Sequence, residues 1–181
     1  HSVHISYIPS FYPSEETVNN GVSLILFHAE RFDPGVKIQN NRLRLSVNSE
    51  LSKTDAYEAL LVNREGFITE GSRSNVFFIT AEGVIKTAPD SMVLSGITRK
   101  YVLEIIRKEG IPLFYEAVRE TGIGSFRCAF ITGTSPMVLA VKGIESTLYD
   151  PADPLIKSIR ERYAILAEGS LSDFKLENEA Y

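Results

Sequence analysis

Apolar residues fall along the chain in runs of two kinds. Short continuous runs at 22–27, 59–62, 76–79, 128–131 and 137–141 have the pattern of strands covered on both faces. Residues 67–69 and 113–118 add two more strand-like stretches. Ala81-Glu82-Gly83 separates 76–79 from 84–87, which predicts a hairpin. The other kind of run is periodic. Leu43, Val47 and Leu51 recur at i, i+4 and i+8, predicting an amphipathic helix over about 42–53. A second helix is predicted over 97–109, with Ile97, Tyr101, Ile105 and Ile106 inward, Gly110 as its stop and Pro112 beyond. A third follows Pro151 and Pro154, over about 155–166. Segments 14–21 and 119–126 read as a polar turn region and an irregular or helical link, and 4–12 as an extended segment or linker.

Four polar islands interrupt this pattern at strand ends or helix starts. Phe32-Asp33-Pro34-Gly35 is a turn signal that leaves Lys37 just beyond it, near the amino end of the first helix. Thr69-Glu70-Gly71-Ser72-Arg73-Ser74-Asn75 sets one carboxylate among small residues between two apolar runs; the same composition also suits an ordinary hairpin loop. Ser95-Gly96 precedes a helix whose first turn, Ile97-Thr98-Arg99-Lys100, holds two cations and no acid. The positive end of a helix dipole prefers an acidic side chain by roughly 0.3–1 kcal/mol, so this start lacks an anion. The alternative is a plain Ser or Gly cap on a surface helix. Thr132-Gly133-Thr134-Ser135 ends a buried strand where backbone N–H groups can hold an anion.

Composition narrows the classes. With 181 residues the chain suits one ordinary domain, and no run approaches the roughly 20 apolar residues of a membrane helix. A net charge of -4 with dispersed Lys and Arg gives no basic stripe, so neither nucleic acid nor a membrane surface is an expected partner. The single cysteine, Cys128, lies in an apolar run and reads as a small buried hydrophobe in a reducing, cytoplasmic setting. Three scattered histidines form no ligand set, and no metal site is expected. The first residue is not Met, and the chain reads as part of something longer.

In order and at these separations, the four islands resemble the fold-type IV pyridoxal-phosphate enzymes: branched-chain and D-amino-acid aminotransferases and aminodeoxychorismate lyase. The resemblance covers about 36–146 and is sharpest at the Glu70 motif, its 33-residue spacing to Lys37, and Gly96-Ile97-Thr98-Arg99. It implies an α+β fold, the D-amino-acid-aminotransferase-like large domain, with mixed sheets around a cofactor cleft and flanking helices. It implies 1–35 as interdomain segment and first strand, 36–168 as the cofactor-binding domain, 169–181 as a polar tail, and a missing small amino-terminal domain. By the same resemblance, Lys37 forms the Schiff base with pyridoxal 5'-phosphate and moves the proton, and Glu70 faces the pyridine nitrogen. Ile97 and Thr98 cup the phosphate with Gly133 and Thr134, while Ser72 and Asn75 line the ring. Arg73, Thr134 and Ser135 fall near substrate, expected to be an amino acid and a 2-oxoacid, in a homodimer. The chain departs from the family at Arg42, where branched-chain enzymes have tyrosine, and at Arg73, small in several members. A lyase, or a non-catalytic domain of this fold, are the competing readings.

Overall fold

The computed structural model describes residues 12–31 and 41–178, with side chains as far as Ser170. Lys37, the 32–35 turn and the extended segment 4–11 lie outside the described residues. Among the described residues the order is α1 (Glu15–Asn20), β1 (Val22–His28), α2 (Asn41–Leu51), β2 (Glu58–Val62), β3 (Phe67–Gly71), β4 (Asn75–Ile79) and β5 (Ile85–Thr87). Then come a 3-10 helix (Asp90–Met92), α3 (Ile97–Lys108), β6 (Leu113–Tyr115), β7 (Val118–Arg119) and a second 3-10 helix (Glu120–Ser125). β8 (Cys128–Gly133), β9 (Met137–Ile144), β10 (Thr147–Leu148) and α4 (Pro154–Asn178) complete it.

The strands form one mixed sheet in the order β6-β5-β4-β8-β9-β1-β2-β3-β7, with β10 paired to β9 off this path. The β4–β5 hairpin is present as antiparallel pairing. β3 and β4 are not paired to each other, so the polar stretch between them is no hairpin loop. They stand five positions apart in the sheet, roughly 24 Å if it were flat. Yet the chain from Gly71 to Asn75 can span at most about 14 Å. The sheet therefore curls. The stretch read as one strand over 113–118 divides into β6 and β7, which occupy the two opposite ends of the order with only Glu116 and Ala117 between them. The curl thus brings the sheet's two ends together.

Burial follows from that curl. β4 and β8 are buried along their length and alternate: Val76, Phe78, Ala129 and Ile131 join a cluster with residues from β1, β2, β3, β7 and β9. Phe77, Ile79, Cys128 and Phe130 face the other way, under α3 and α4. Phe77 and Phe130 stack at 4.8 Å. Val47 of α2, with Leu43 and Leu51 partly buried beside it, covers Ala59 and Leu61, as the periodicity predicts.

Three local expectations change. Segment 14–21 is a helical turn, because the Ser14 hydroxyl accepts from the Thr17 N–H and caps α1. α3 buries Thr98, Arg99, Val102, Leu103, Ile105 and Ile106, while Ile97 is 76% exposed and Tyr101 also exposed. The stripe sits about one residue round from the one expected, since Ile97 opens the helix beyond the sheet it covers. α4 continues past 166 through Gly169 to Asn178, with no proline to stop it.

Candidate active site

Three of the four islands meet where the curl brings the ends of β3, β4 and β8 together, around the backbone of Leu94. Glu70, near the end of β3, is 2% exposed. Its Oε2 accepts the Leu94 N–H at 3.1 Å. Asn75, the first residue of β4, donates from Nδ2 to the Leu94 carbonyl at 2.9 Å. One peptide segment thus ties the two sides of the β3–β4 connection to the start of α3. The third island arrives through β8, where Thr132 is the register partner of Asn75. Gly133 lies against the same connection, since a Cβ there would sit 3.2 Å from the Arg73 carbonyl.

A second clamp holds Glu70 from the other side. Arg31, three residues past β1, donates from Nε to Glu70 Oε1 at 2.7 Å and from Nη2 to the Ser72 carbonyl at 2.8 Å. Burial pushes the Glu70 carboxyl above its ordinary value. The Arg31 charge, the Leu94 N–H and the Arg99 charge pull the other way. Each carboxylate oxygen keeps a second lone pair beyond these contacts.

The start of α3 matches the expectation in one respect and corrects it in another. Gly96 is the N-cap, no side chain caps the free N–H groups, and no acid stands in the first turn. Arg99, however, contributes no free cation to an anion there. It is 1% exposed, ion-paired with Asp90 through Nη1 and bonded to the Ala88 carbonyl through Nη2 at 2.9 Å. Lys100 alone of the two cations is exposed. Thr98 is buried, and its hydroxyl lies 3.3 Å from that of Tyr163 in α4. Ser72 is half-buried, Thr134 is exposed and Ser135 half-buried at the β8–β9 turn. Arg73 is exposed and donates from Nη2 to the Tyr57 carbonyl at 3.1 Å. Where Lys37 stands relative to these groups is outside the described residues.

Sequence reasoning did not single out Arg31, Glu58, Leu94 or Tyr163. A lone arginine or glutamate reads as a solvated charge, and Leu94 acts through its backbone, which carries no residue signal. An open cavity of about 820 Å³ lies beyond Arg31, lined by residues that include His28, Glu30, Asn63, Arg64 and Glu120 but none of Glu70, Asn75 and Gly96. Its charges largely pair with one another, His28 with Glu120 at 2.9 Å and Arg64 with Glu30 at 3.6 Å.

The curled mixed sheet with helices outside it is shared with solved branched-chain amino acid aminotransferases. Residues 1–144 match the family described as amino-transferase class IV, and the chain belongs to that family. It is 31% identical over 137 residues to "Probable branched-chain-amino-acid aminotransferase" of Aquifex aeolicus (strain VF5), covering 71% of this chain and 44% of that protein. It is 31% identical over 150 residues to D-alanine aminotransferase of Bacillus licheniformis, covering 81% and 52%. The crystal structure of the T.th. branched-chain amino acid aminotransferase with pyridoxamine 5'-phosphate superposes with a TM-score of 0.76 at 30% identity, over 86% of this chain and 53% of that one. The chain spans about half the length of these relatives.

Among the described residues no helix is long and apolar enough to cross a membrane.

Proposed function

We propose that the full-length protein is a pyridoxal-phosphate-dependent aminotransferase that moves an amino group between an amino acid and a 2-oxoacid. Residues 36–168 are its cofactor-binding domain. The observation that carries this reading is the convergence of Glu70, Asn75 and the α3 start on Leu94. The residues fit the cofactor at both ends. α3 begins with uncapped N–H groups and no acid, which suits a phosphate. Glu70 is a buried carboxylate kept beside a cation, which suits a protonated ring nitrogen. A Cβ on Gly96 would stand 2.6 Å from Asn75 Oδ1 and one on Gly133 3.1 Å from Pro136 Cγ, so both backbone stretches are packed closely against neighbouring residues of the site.

When bound, the cofactor supplies an aldehyde carbon for a lysine amine and a ring that withdraws electrons from the substrate's Cα. The chain's own residues do the rest. Lys37 is the lysine that would carry the cofactor, and its Nζ, freed when the substrate amine takes its place, would move the proton from Cα to the cofactor's C4′ carbon. Glu70 holds a proton at the ring nitrogen, and Arg31 keeps the Glu70 carboxylate ionised for that task. Ile97 and Thr98 offer backbone N–H groups to the phosphate, with Gly133 and Thr134 beside them. Ser72 and Asn75 line the ring, and Arg73 and Ser135 belong on the substrate side. The reading includes a homodimer in a reducing, cytoplasmic setting. The free, buried Cys128 suits that setting, and light scattering checks the dimer.

The experiment is borohydride reduction of full-length protein loaded with pyridoxal phosphate, followed by peptide mass analysis, beside an assay of amino transfer from a panel of donors to 2-oxoglutarate and pyruvate. Expected are a label on Lys37 and transfer from at least one donor. No label sinks the cofactor reading. A label with pyruvate and 4-aminobenzoate released from aminodeoxychorismate, and no transfer, replaces the transferase with a lyase.

A further inference from the structure

Glu58, at the start of β2, is a second buried carboxylate, 2% exposed and outside every motif above. Burying a carboxylate costs several kcal/mol unless its oxygens are satisfied. Here they are satisfied almost wholly by one turn. Oε1 accepts from the Ser72 hydroxyl at 2.7 Å and from the N–H of Ala59 at 2.9 Å. Oε2 accepts from the Arg73 N–H at 3.1 Å and from the Ser74 hydroxyl at 3.2 Å. Among the described residues its paired cation is the Arg73 guanidinium, at 3.8 Å and mostly exposed.

The turn is built around that carboxylate. A Cβ on Gly71 would stand 2.1 Å from Ser74 Oγ and 3.3 Å from the Glu58 carboxyl carbon, so only glycine leaves the space that these groups fill. The Ser72 N–H donates to the Ala59 carbonyl at 2.9 Å and the Gly71 N–H to the Ser74 carbonyl at 2.7 Å, which fixes the turn against β2. The Ser72 carbonyl then points at Arg31 Nη2, and the same guanidinium reaches Glu70. A chain of contacts runs from Glu58 through the turn to Arg31 and ends on Glu70.

We propose that Glu58 is a positioning residue: its carboxylate sets the turn through Ser72, Arg73 and Ser74, and through the Ser72 carbonyl it holds Arg31 on Glu70. This rests on the proposed function for its bearing on the reaction, but its geometry can be tested without cofactor. Besides Arg31 from the segment after β1, the charged group facing Glu70 is Arg99 from α3, which the turn does not touch.

The test is the titration of Glu70 in cofactor-free, full-length protein, followed by carboxyl-carbon NMR. Glu58→Gln keeps the volume but sets an amide NH2 against the Arg73 N–H, which cannot reverse its role. The expected result is a Glu70 midpoint raised by on the order of one pH unit, because Arg31 is no longer held. Ser72→Ala removes a single donor to Glu58 and should give a smaller rise in the same direction; it decides the matter where Glu58→Gln does not fold. Val47→Ala, a destabilising change under α2, should leave the midpoint where it is. A midpoint unmoved in folded Glu58→Gln, or in Ser72→Ala if the former does not fold, overturns the proposal, as does an equal rise in Val47→Ala. In parallel, wild type and Glu58→Gln are mixed with pyridoxal phosphate. Absence of an absorption band with wild type would count against the cofactor reading, while the NMR result stands separately.

Discussion

The Asn75 amide and Gly96 are in contact with no room between them: a Cβ built on Gly96 would lie 2.6 Å from Asn75 Oδ1. That contact presses the start of β4 against the cap of α3. Gly96→Ala should push the Asn75 side chain off the Leu94 carbonyl. We expect a loss of about 1–2 kcal/mol in urea unfolding, the usual range for overpacking. Pyridoxal phosphate affinity, read by fluorescence titration of full-length protein, should fall by about tenfold. Wild-type affinity with the added methyl would detach this contact from the phosphate site.

Arg31→Met removes the cation bonded to the buried Glu70 carboxylate and leaves it the weaker pull of Arg99, and the pH dependence of the loss is its signature. Glu70 has a folded pKa above its ordinary value, so its contribution to stability is present in acid and is lost as pH rises through the folded pKa. Without Arg31 the folded pKa climbs further, and the loss becomes larger and extends to higher pH. The gap between wild type and variant should open as pH rises through the wild-type folded pKa, which lies above the ordinary carboxylate value, and approach about 3 kcal/mol towards neutrality. Adding Glu70→Gln should flatten it. Thermal unfolding across that pH range checks both.

Asp90 and Arg99 make an asymmetric pair, with side chains 69% and 1% exposed. Removing the exposed partner should therefore cost more. Asp90→Ala strands a buried guanidinium whose Nε already has no partner among the described residues, and about 3 kcal/mol is expected. Arg99→Met leaves Asp90 in water and fills much the same volume, so about 1–2 kcal/mol is expected. Denaturant midpoints of the two variants, compared in one experiment, give the order.

Burial pushes the Cys128 thiol up to about 12. At pH 8 only about one molecule in ten thousand would carry the thiolate, even before access is considered. Full-length protein should therefore leave this thiol unlabelled by a disulfide reagent for hours and label it at once in guanidinium. Rapid labelling of native protein would show that β8 opens to solvent.

Strand positions were legible because β4 and β8 are covered on both faces, and continuous apolar runs such as Val76-Phe77-Phe78-Ile79 have few other uses. Strand order was not. Nothing local to Gly71 and Asn75 says that their strands diverge to opposite sides of β8, β9, β1 and β2. The polar islands at Glu70, Gly96 and Gly133 were legible as strand ends and a helix start with an unmet need, and the resemblance supplied the need. The residues that hold them were not. Arg31 and Glu58 look in sequence like surface charges, and only the fold reveals that each is surrounded. Arg99 misleads for the same reason: in sequence its charge points to an anion at the helix start, whereas its partner is Asp90, nine residues back.

The two-residue joint of Glu116 and Ala117 has a consequence for solubility. Edges of a sheet invite other chains to pair with them, and the risk falls when edge strands are short. β6 and β7 have three and two residues, and the joint keeps both ends tethered side by side. A protease nick at that joint would let the two short strands peel away, and β5 and β3 would become new borders. The intact joint leaves only short strands at the sheet's borders for another sheet to meet.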